Sequence, residues 1–137
     1  MDAIELRGRI IKGGRAHGVA LVSTEPVGFF GGVDPDTGVV AEPAHPLAGI
    51  CVSARVLVFP TGKGSTVGSY ILYRLKKNGL APAAIINAES EPIVAVGAII
   101  SDIPMVDRID IACIHSGDWV EVEDERIRIV RNIERDP

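Results

Sequence analysis

The sequence predicts an α+β domain in which a mixed, barrel-like sheet carries its helices on one side. Three observations lead there. Strand-like and helix-like segments do not alternate: short apolar strands sit toward both ends, and a strand–helix–strand unit occupies the middle. Hydrophobic residues make up 47% of the chain but aromatics only 4%, so the core must be built from Val, Ile, Leu and Ala. Finally, 137 residues suit one domain with its own core. No repeat, linker or low-complexity tail interrupts it, so residues 1–137 are expected to form a single domain.

The elements follow in order. "AIELRGRIIKG" has strand character and runs into the breaker pair Gly13-Gly14. After that turn "GVALVS" is a second strand, giving a hairpin-like start. Between residues 25 and 46, "EPVGFFGGVDPDTGVVAEPAHP" is dense in glycine and proline, which rules out long helices and leaves short strands joined by shaped turns. "ARVLVFP" is a buried strand. From Ser65 the period becomes helical, with Val67, Ile71 and Leu75 at i, i+4, i+8 and Tyr70 and Leu72 widening the stripe. Lys76 and Lys77 suit the helix C-terminus, and Asn78-Gly79 supplies a left-handed stop. "PAAIINAES" is another buried strand. "EPIVAVGAIISDIP" predicts a short helix with Pro92 as its first residue and Pro104 as a limit. "DIACIHSGD" is a short apolar stretch before a turn, and "WVEVEDERIRIVR" alternates around Asp124-Glu125 as a closing hairpin.

Composition narrows the function. A net charge of −4 argues against non-specific nucleic-acid binding, which needs a basic footprint. "MDAIELRGRI" lacks the apolar core of a signal peptide, and no apolar run approaches the roughly 20 residues of a membrane span. A cytoplasmic protein is expected. Cys51 and Cys113 could form at most one disulfide and sit in no CxxC. An iron–sulfur cluster takes about four protein ligands, mostly cysteines, so any cluster would have to come from a partner, and no metal or cofactor is expected on this chain.

The segment most suggestive of chemistry is "FPTGKGSTVGSYILYRLKKNG". Its Gly62, Lys63, Gly64 and Ser65 stand just before the helix. The Walker spacing G-x-x-x-x-G-K-[ST] is not met. Ser65 could simply cap the helix. The same geometry could also hold an active serine: glycines admit close backbone approach, and the helix amides and Lys63 favour an anion, so a Ser65 alkoxide could accept a proton. No histidine lies nearby, since His17, His45 and His115 are scattered. Elsewhere, Arg15 in "KGGRAHG" could bind a carboxylate or phosphate with its guanidinium, while Lys12 suits a polar surface turn. The paired phenylalanines of "GFFGG" either plug one end of the barrel or form an interface or cover over a ligand. "DPDTG" is a turn, and His45, Cys51 and Cys113 suit structural positions.

Taken in order, "KGGRAHGVALVSTEPVGFFGGVDPDTG", "HPLAG", "VFPTGKGSTVGSYILYRL", "INAESEPIVAVGAIISDIPMVD" and "GDWVEV" resemble the small subunit of the aconitase-X family in its archaeal, two-subunit form. The match covers nearly the whole chain. It implies a swivelling β/β/α domain like the mobile final domain of aconitases. It implies a large partner subunit that carries a [4Fe–4S] cluster and most of the site for a small phosphorylated carboxylate substrate. The implied reaction is dehydration of (R)-5-phosphomevalonate to trans-anhydromevalonate 5-phosphate in an archaeal mevalonate route to isoprenoids, with Ser65 as proton acceptor. Relatives acting on hydroxyproline-type substrates and a non-catalytic binding module are the alternatives.

Overall fold

The computed structural model of the chain describes residues 3–131. Its strands are β1 (Ala3–Arg7), β2 (Arg9–Lys12), β3 (Arg15–Val22), β4 (Val56–Phe59), β5 (Ala84–Asn87), β6 (Met105–Asp107), β7 (Trp119–Glu123) and β8 (Arg126–Val130). Its helices are α1 (Val67–Lys77) and α2 (Pro92–Ile100), with a 3-10 turn at Ile111–Cys113. The strands form one eight-stranded sheet in the order β1-β8-β7-β3-β4-β5-β6-β2. β1 and β2 stand at its two ends, yet only Gly8 separates them in the chain. The sheet therefore curls round until its two edge strands meet at Gly8, which gives the barrel-like form expected, without a ladder between β1 and β2 among the described residues. Gly8 is required at this corner, because a Cβ there would run into the carbonyl oxygen of Asp107 and come within 2.7 Å of the Ile109 side chain.

The expected hairpin at the start is not formed. β1 pairs antiparallel with β8, β2 with β6 and β3 with β7, and β3 also pairs parallel with β4. The apolar pattern specifies strands but not their partners, and Gly8 and Gly13-Gly14 let the chain leave in directions that nearest-neighbour pairing does not anticipate. The closing β7–β8 hairpin does form, around Asp124 at φ 54°.

β3 is the seam between two halves. Its first part, to Val19, pairs antiparallel with β7, and its last part, Ala20 to Val22, pairs parallel with β4. From there β4, β5 and β6 run parallel, connected through α1 and α2. Alternation along these strands divides the core in two. Val56, Val58, Ala84, Ile86 and Val106 face the barrel interior with Val120, Val122, Ile127 and Ile129. Leu57, Phe59 and Ile85 face the other way, under Leu72 and Leu75 of α1 and Val94 and Ala98 of α2. Both helices therefore lie on one side.

The helices end as their sequences require. Asn78 donates to the Arg74 carbonyl and Gly79, at φ 72°, to that of Lys76. α2 begins at Pro92 under Glu91, whose carboxylate accepts from the amides of Ile93 and Val94, each at 2.8 Å. Gly97 lets the helices touch, since a Cβ there would sit 2.7 Å from the Leu72 side chain. No helix of the described residues is long and apolar enough to cross a membrane.

Candidate functional site

Open sheets with parallel strands present ligands at the carboxyl ends of those strands, where successive connections diverge. Here that edge gathers residues 23–30 after β3, 60–66 after β4, 88–91 after β5 and 108–118 after β6. Hydrogen bonds tie the loops together. The Pro60 carbonyl accepts from Ala88 (3.1 Å) and Glu89 (3.0 Å), and the Ala88 carbonyl accepts from Arg108 (3.0 Å). Val27 bridges in parallel to Gly62, donating to Thr61 and accepting from Lys63.

The glycines flanking Lys63 have separate causes. A Cβ on Gly62 would collide with the Glu91 carboxylate and come within 2.5 Å of Val94, so only glycine lets this loop lie on the start of α2. Gly64 has φ +99°, a left-handed backbone that side chains disfavour. Gly28 is needed on the facing loop, because a Cβ there would come within 2.9 Å of the Lys63 carbonyl. The "GKGS" loop is thus a tightly packed turn that delivers the chain into α1.

Ser65 emerges exposed at the N-terminus of α1. Its Oγ accepts from the Val67 amide at 3.2 Å, and its carbonyl accepts from Gly68 at 2.9 Å. Thr66 is already helical and makes no side-chain cap. The geometry is that of a cap, and it leaves the Ser65 oxygen, held by a single amide, open to solvent. That amide and the helix dipole both favour negative charge on Oγ.

The other expected site residues fall differently. Lys63 extends from the loop, but its Nζ lies 2.8 Å from Glu42, which offsets its charge. Arg15 is not brought to this loop. It begins β3 and pairs with Glu123 on β7, whereas the loop follows the far ends of the strands, a separation of roughly 20 Å along the sheet. Lys12 pairs with Asp102. The two phenylalanines also part. Phe29 is buried edge-on to Phe59, 6.4 Å between ring centres, on the helix side rather than as a barrel plug, and Phe30 is 56% exposed. His45 is structural: its Nε2 donates to the Pro26 carbonyl and its Nδ1 accepts from Leu47, both at 3.0 Å.

Behind this edge lies an ion pair, between the exposed Arg9 and the buried Asp107, that the sequence did not announce. Asp107, at the end of β6, receives Arg9 through two hydrogen bonds of 3.0 and 2.8 Å and the Ser90 amide at 2.9 Å. Burial opposes ionisation of Asp107, but the guanidinium and Ser90 outweigh it and hold the carboxyl down at about 2. The pair locks β2 to the loop after β5. A 530 Å³ cavity opens on the same edge, lined by Val22, Ser23, Thr24, Pro60, Ile114 and His115 among others. A larger one of 740 Å³ lies on the antiparallel half, beside Arg15, Glu121 and Arg128.

Cys51 and Cys113 are both free, and among the described residues no three His, Cys, Asp or Glu side chains converge to hold an ion. Two thiols do not make the donor set of an iron–sulfur cluster.

A barrel-like mixed sheet with two helices on one side is the architecture of a swivel-type domain. Residues 5–130 match the family model described as the aconitase X swivel domain, and the chain belongs to that family. A protein of Methanosarcina acetivorans named phosphomevalonate dehydratase small subunit is 58% identical over 125 residues, 89% of this chain and 87% of that one. A protein of the same name from Thermococcus sibiricus is 55% identical, over 90% of this chain and 95% of its own. The crystal structure of Thermococcus kodakaraensis aconitase X in its holo form superimposes with a TM-score of 0.91 at 50% identity, covering 93% of this chain and 99% of that one.

Proposed function

We propose that the chain is the small, swivelling subunit of a two-subunit hydro-lyase. It dehydrates (R)-5-phosphomevalonate to trans-anhydromevalonate 5-phosphate in the cytoplasm, on an archaeal mevalonate route. The observation that carries this reading is the exposed Ser65 hydroxyl on the Val67 amide at the head of α1, in a chain 58% identical to a protein named as that small subunit.

The elimination removes a proton from the carbon next to the carboxylate and the hydroxyl from the next carbon. Ser65, as an alkoxide, takes the proton on Oγ, and the C–H electron pair becomes the new double bond as hydroxide departs. A serine hydroxyl is a weak base in water, and the α1 amides and dipole stabilise its anion. The departing hydroxide needs a Lewis acid, which on this reading is the [4Fe–4S] cluster of the large subunit. Gly62 and Gly64 shape the loop so that Ser65 can approach a substrate held by the partner. Closure of the swivel would exclude water and assemble the site.

The test is anaerobic reconstitution with the large subunit, followed by product detection. Ser65→Ala is expected to keep the subunits associated and to lower turnover by about 10²- to 10⁴-fold. Turnover that survives this substitution would return Ser65 to a capping role and leave the base to another group.

A further inference from the structure

We propose that Arg108 is the anion receptor of this site, binding the phosphate of the small substrate. The inference rests on the function proposed above. Among the described residues, Arg108 is the one cation with no ion pair, hydrogen bond from its side chain or ring contact. Each of the other described lysines and arginines has one: Lys12, Arg15 and Lys63, the basic residues singled out from the sequence, are held by Asp102, Glu123 and Glu42. The remaining ones pair with carboxylates, with backbone carbonyls, or with the Tyr73 ring. A guanidinium left unpaired on a chain of net negative charge is available for a ligand.

Its backbone is set for that use. Arg108 is exposed and has φ 60°, a left-handed conformation that is unfavourable for a long side chain and collects at ligand sites. The conformation is imposed from both sides. Asp107 is fully buried under Arg9 and Ser90, Ile109 is 3% exposed, and the Arg108 amide is tied to the Ala88 carbonyl. The residue thus stands on a rigid platform at the carboxyl end of β6. One strand over, Ala88 and Glu89 bind the Pro60 carbonyl, and Pro60 opens the loop that ends at Ser65. Two strand spacings, roughly 10 Å, separate Arg108 from Pro60 at the root of that loop, so the arginine and the serine loop stand on the same edge of the sheet. A guanidinium offers a phosphate two parallel N–H donors, which makes it the suited group.

The test uses the reconstituted two-subunit enzyme with Arg108→Gly and Arg108→Lys. Glycine removes the charge and relieves the left-handed backbone, so it does not endanger folding. Expected for Arg108→Gly are a KM for phosphomevalonate raised roughly 10- to 100-fold, kcat changed far less, and a matching loss of inhibition by inorganic phosphate. Arg108→Lys should recover part of both. Inhibition by mevalonate, which keeps the carboxylate and lacks the phosphate, should be unchanged in Arg108→Gly; if it weakens equally, the bound group is the carboxylate and the phosphate assignment falls. Unaltered KM and phosphate inhibition would overturn the proposal. So would loss of subunit association in gel filtration, which would assign Arg108 to a carboxylate of the partner. If the wild-type enzyme does not turn over phosphomevalonate at all, the functional reading fails by itself. Calorimetric titration of phosphate into wild type and Arg108→Gly then decides Arg108 separately: weaker binding to the variant supports it and equal binding overturns it.

Discussion

On the antiparallel half of the sheet, formed by β1, β8, β7 and the start of β3, the outer face is a lattice of opposite charges. Glu121 accepts from Arg128 and from the Trp119 ring nitrogen, and Glu123 takes both Arg126 and Arg15. Arg128, first, and then Trp119 hold the Glu121 carboxyl below its ordinary range, and Arg126 and Arg15 do the same for Glu123. On the parallel half, the carboxyl edge is charged as well, with Glu25, Glu89, Glu91 and Asp110 among its residues, but it also holds an exposed serine at a helix head, an arginine with no side-chain partner and glycines whose replacement would meet neighbouring atoms or a left-handed backbone. The larger cavity belongs to the first region. On the function proposed above, cavity size does not mark the site. The antiparallel face spends its charges on itself, as cross-strand pairs do. The parallel edge keeps the Ser65 hydroxyl exposed on a single amide and leaves the Arg108 guanidinium without a side-chain partner.

Several substitutions would break or sharpen that contrast. The largest effect is expected from Ser65→Ala, which should lower turnover by about 10²- to 10⁴-fold while costing the isolated chain only about 1 kcal/mol or less by urea unfolding. Next comes the platform. Arg9→Met leaves the buried Asp107 carboxylate with little but Ser90, and should cost about 3 kcal/mol in the same unfolding measurement. If the cost is negligible, the ion pair does not organise the edge.

The wild-type pair also sets an acid limit. Because Asp107 is depressed from 3.8 to about 2 in the folded chain, its contribution is complete above about pH 4 and drains as pH falls toward 2. Over that window it amounts to about 2 kcal/mol, readable as a fall in the urea midpoint that Arg9→Met should abolish. Gly62→Ala should destabilise by about 1–3 kcal/mol, since the added Cβ meets Glu91 and Val94, and the assembled enzyme should lose activity with it. The smallest effect is expected across the sheet: Glu121→Gln should shift the melting temperature by less than about 2 °C and leave turnover unchanged. A large loss of activity there would show that the antiparallel groove also takes part.

Much of the parallel half was legible beforehand. α1 carried its stripe, its basic last turn and its Asn78-Gly79 stop in plain view. β4 and β5 were apolar runs between breakers, and Pro92 marked the first residue of α2. β6 was not legible. Met105–Asp107 is three residues long, too short for any period, and it became a strand because β5 and β2 lie on either side of it. α2 was ambiguous for a different reason: "PIVAVGAII" is apolar all round, so periodicity could not show which face is buried. Packing against α1 through Gly97 settles it, burying Val94 and Ala98 and leaving Val96, Ile99 and Ile100 exposed.

The site divides along the same line. Gly62, Gly64 and Ser65 stand in one short stretch, so local rules sufficed to place a serine at a helix head. Arg15 drew notice because glycines flank it, but its role depends on which end of β3 it occupies, and the partner strand decides that. Arg108 was hidden because nothing local distinguishes an arginine that is paired from one that is not. By itself the sequence determined the helices, the buried strands and the position of Ser65 just ahead of α1, since each depends on residues close in the chain. Tertiary structure alone decided the strand partners, the meeting of the two sheet edges at Gly8, the burial of Asp107 and the freedom of Arg108. These depend on which residues distant in the chain meet, Arg9 with Asp107 and Arg15 with Glu123, and the chain's local chemistry does not encode those meetings.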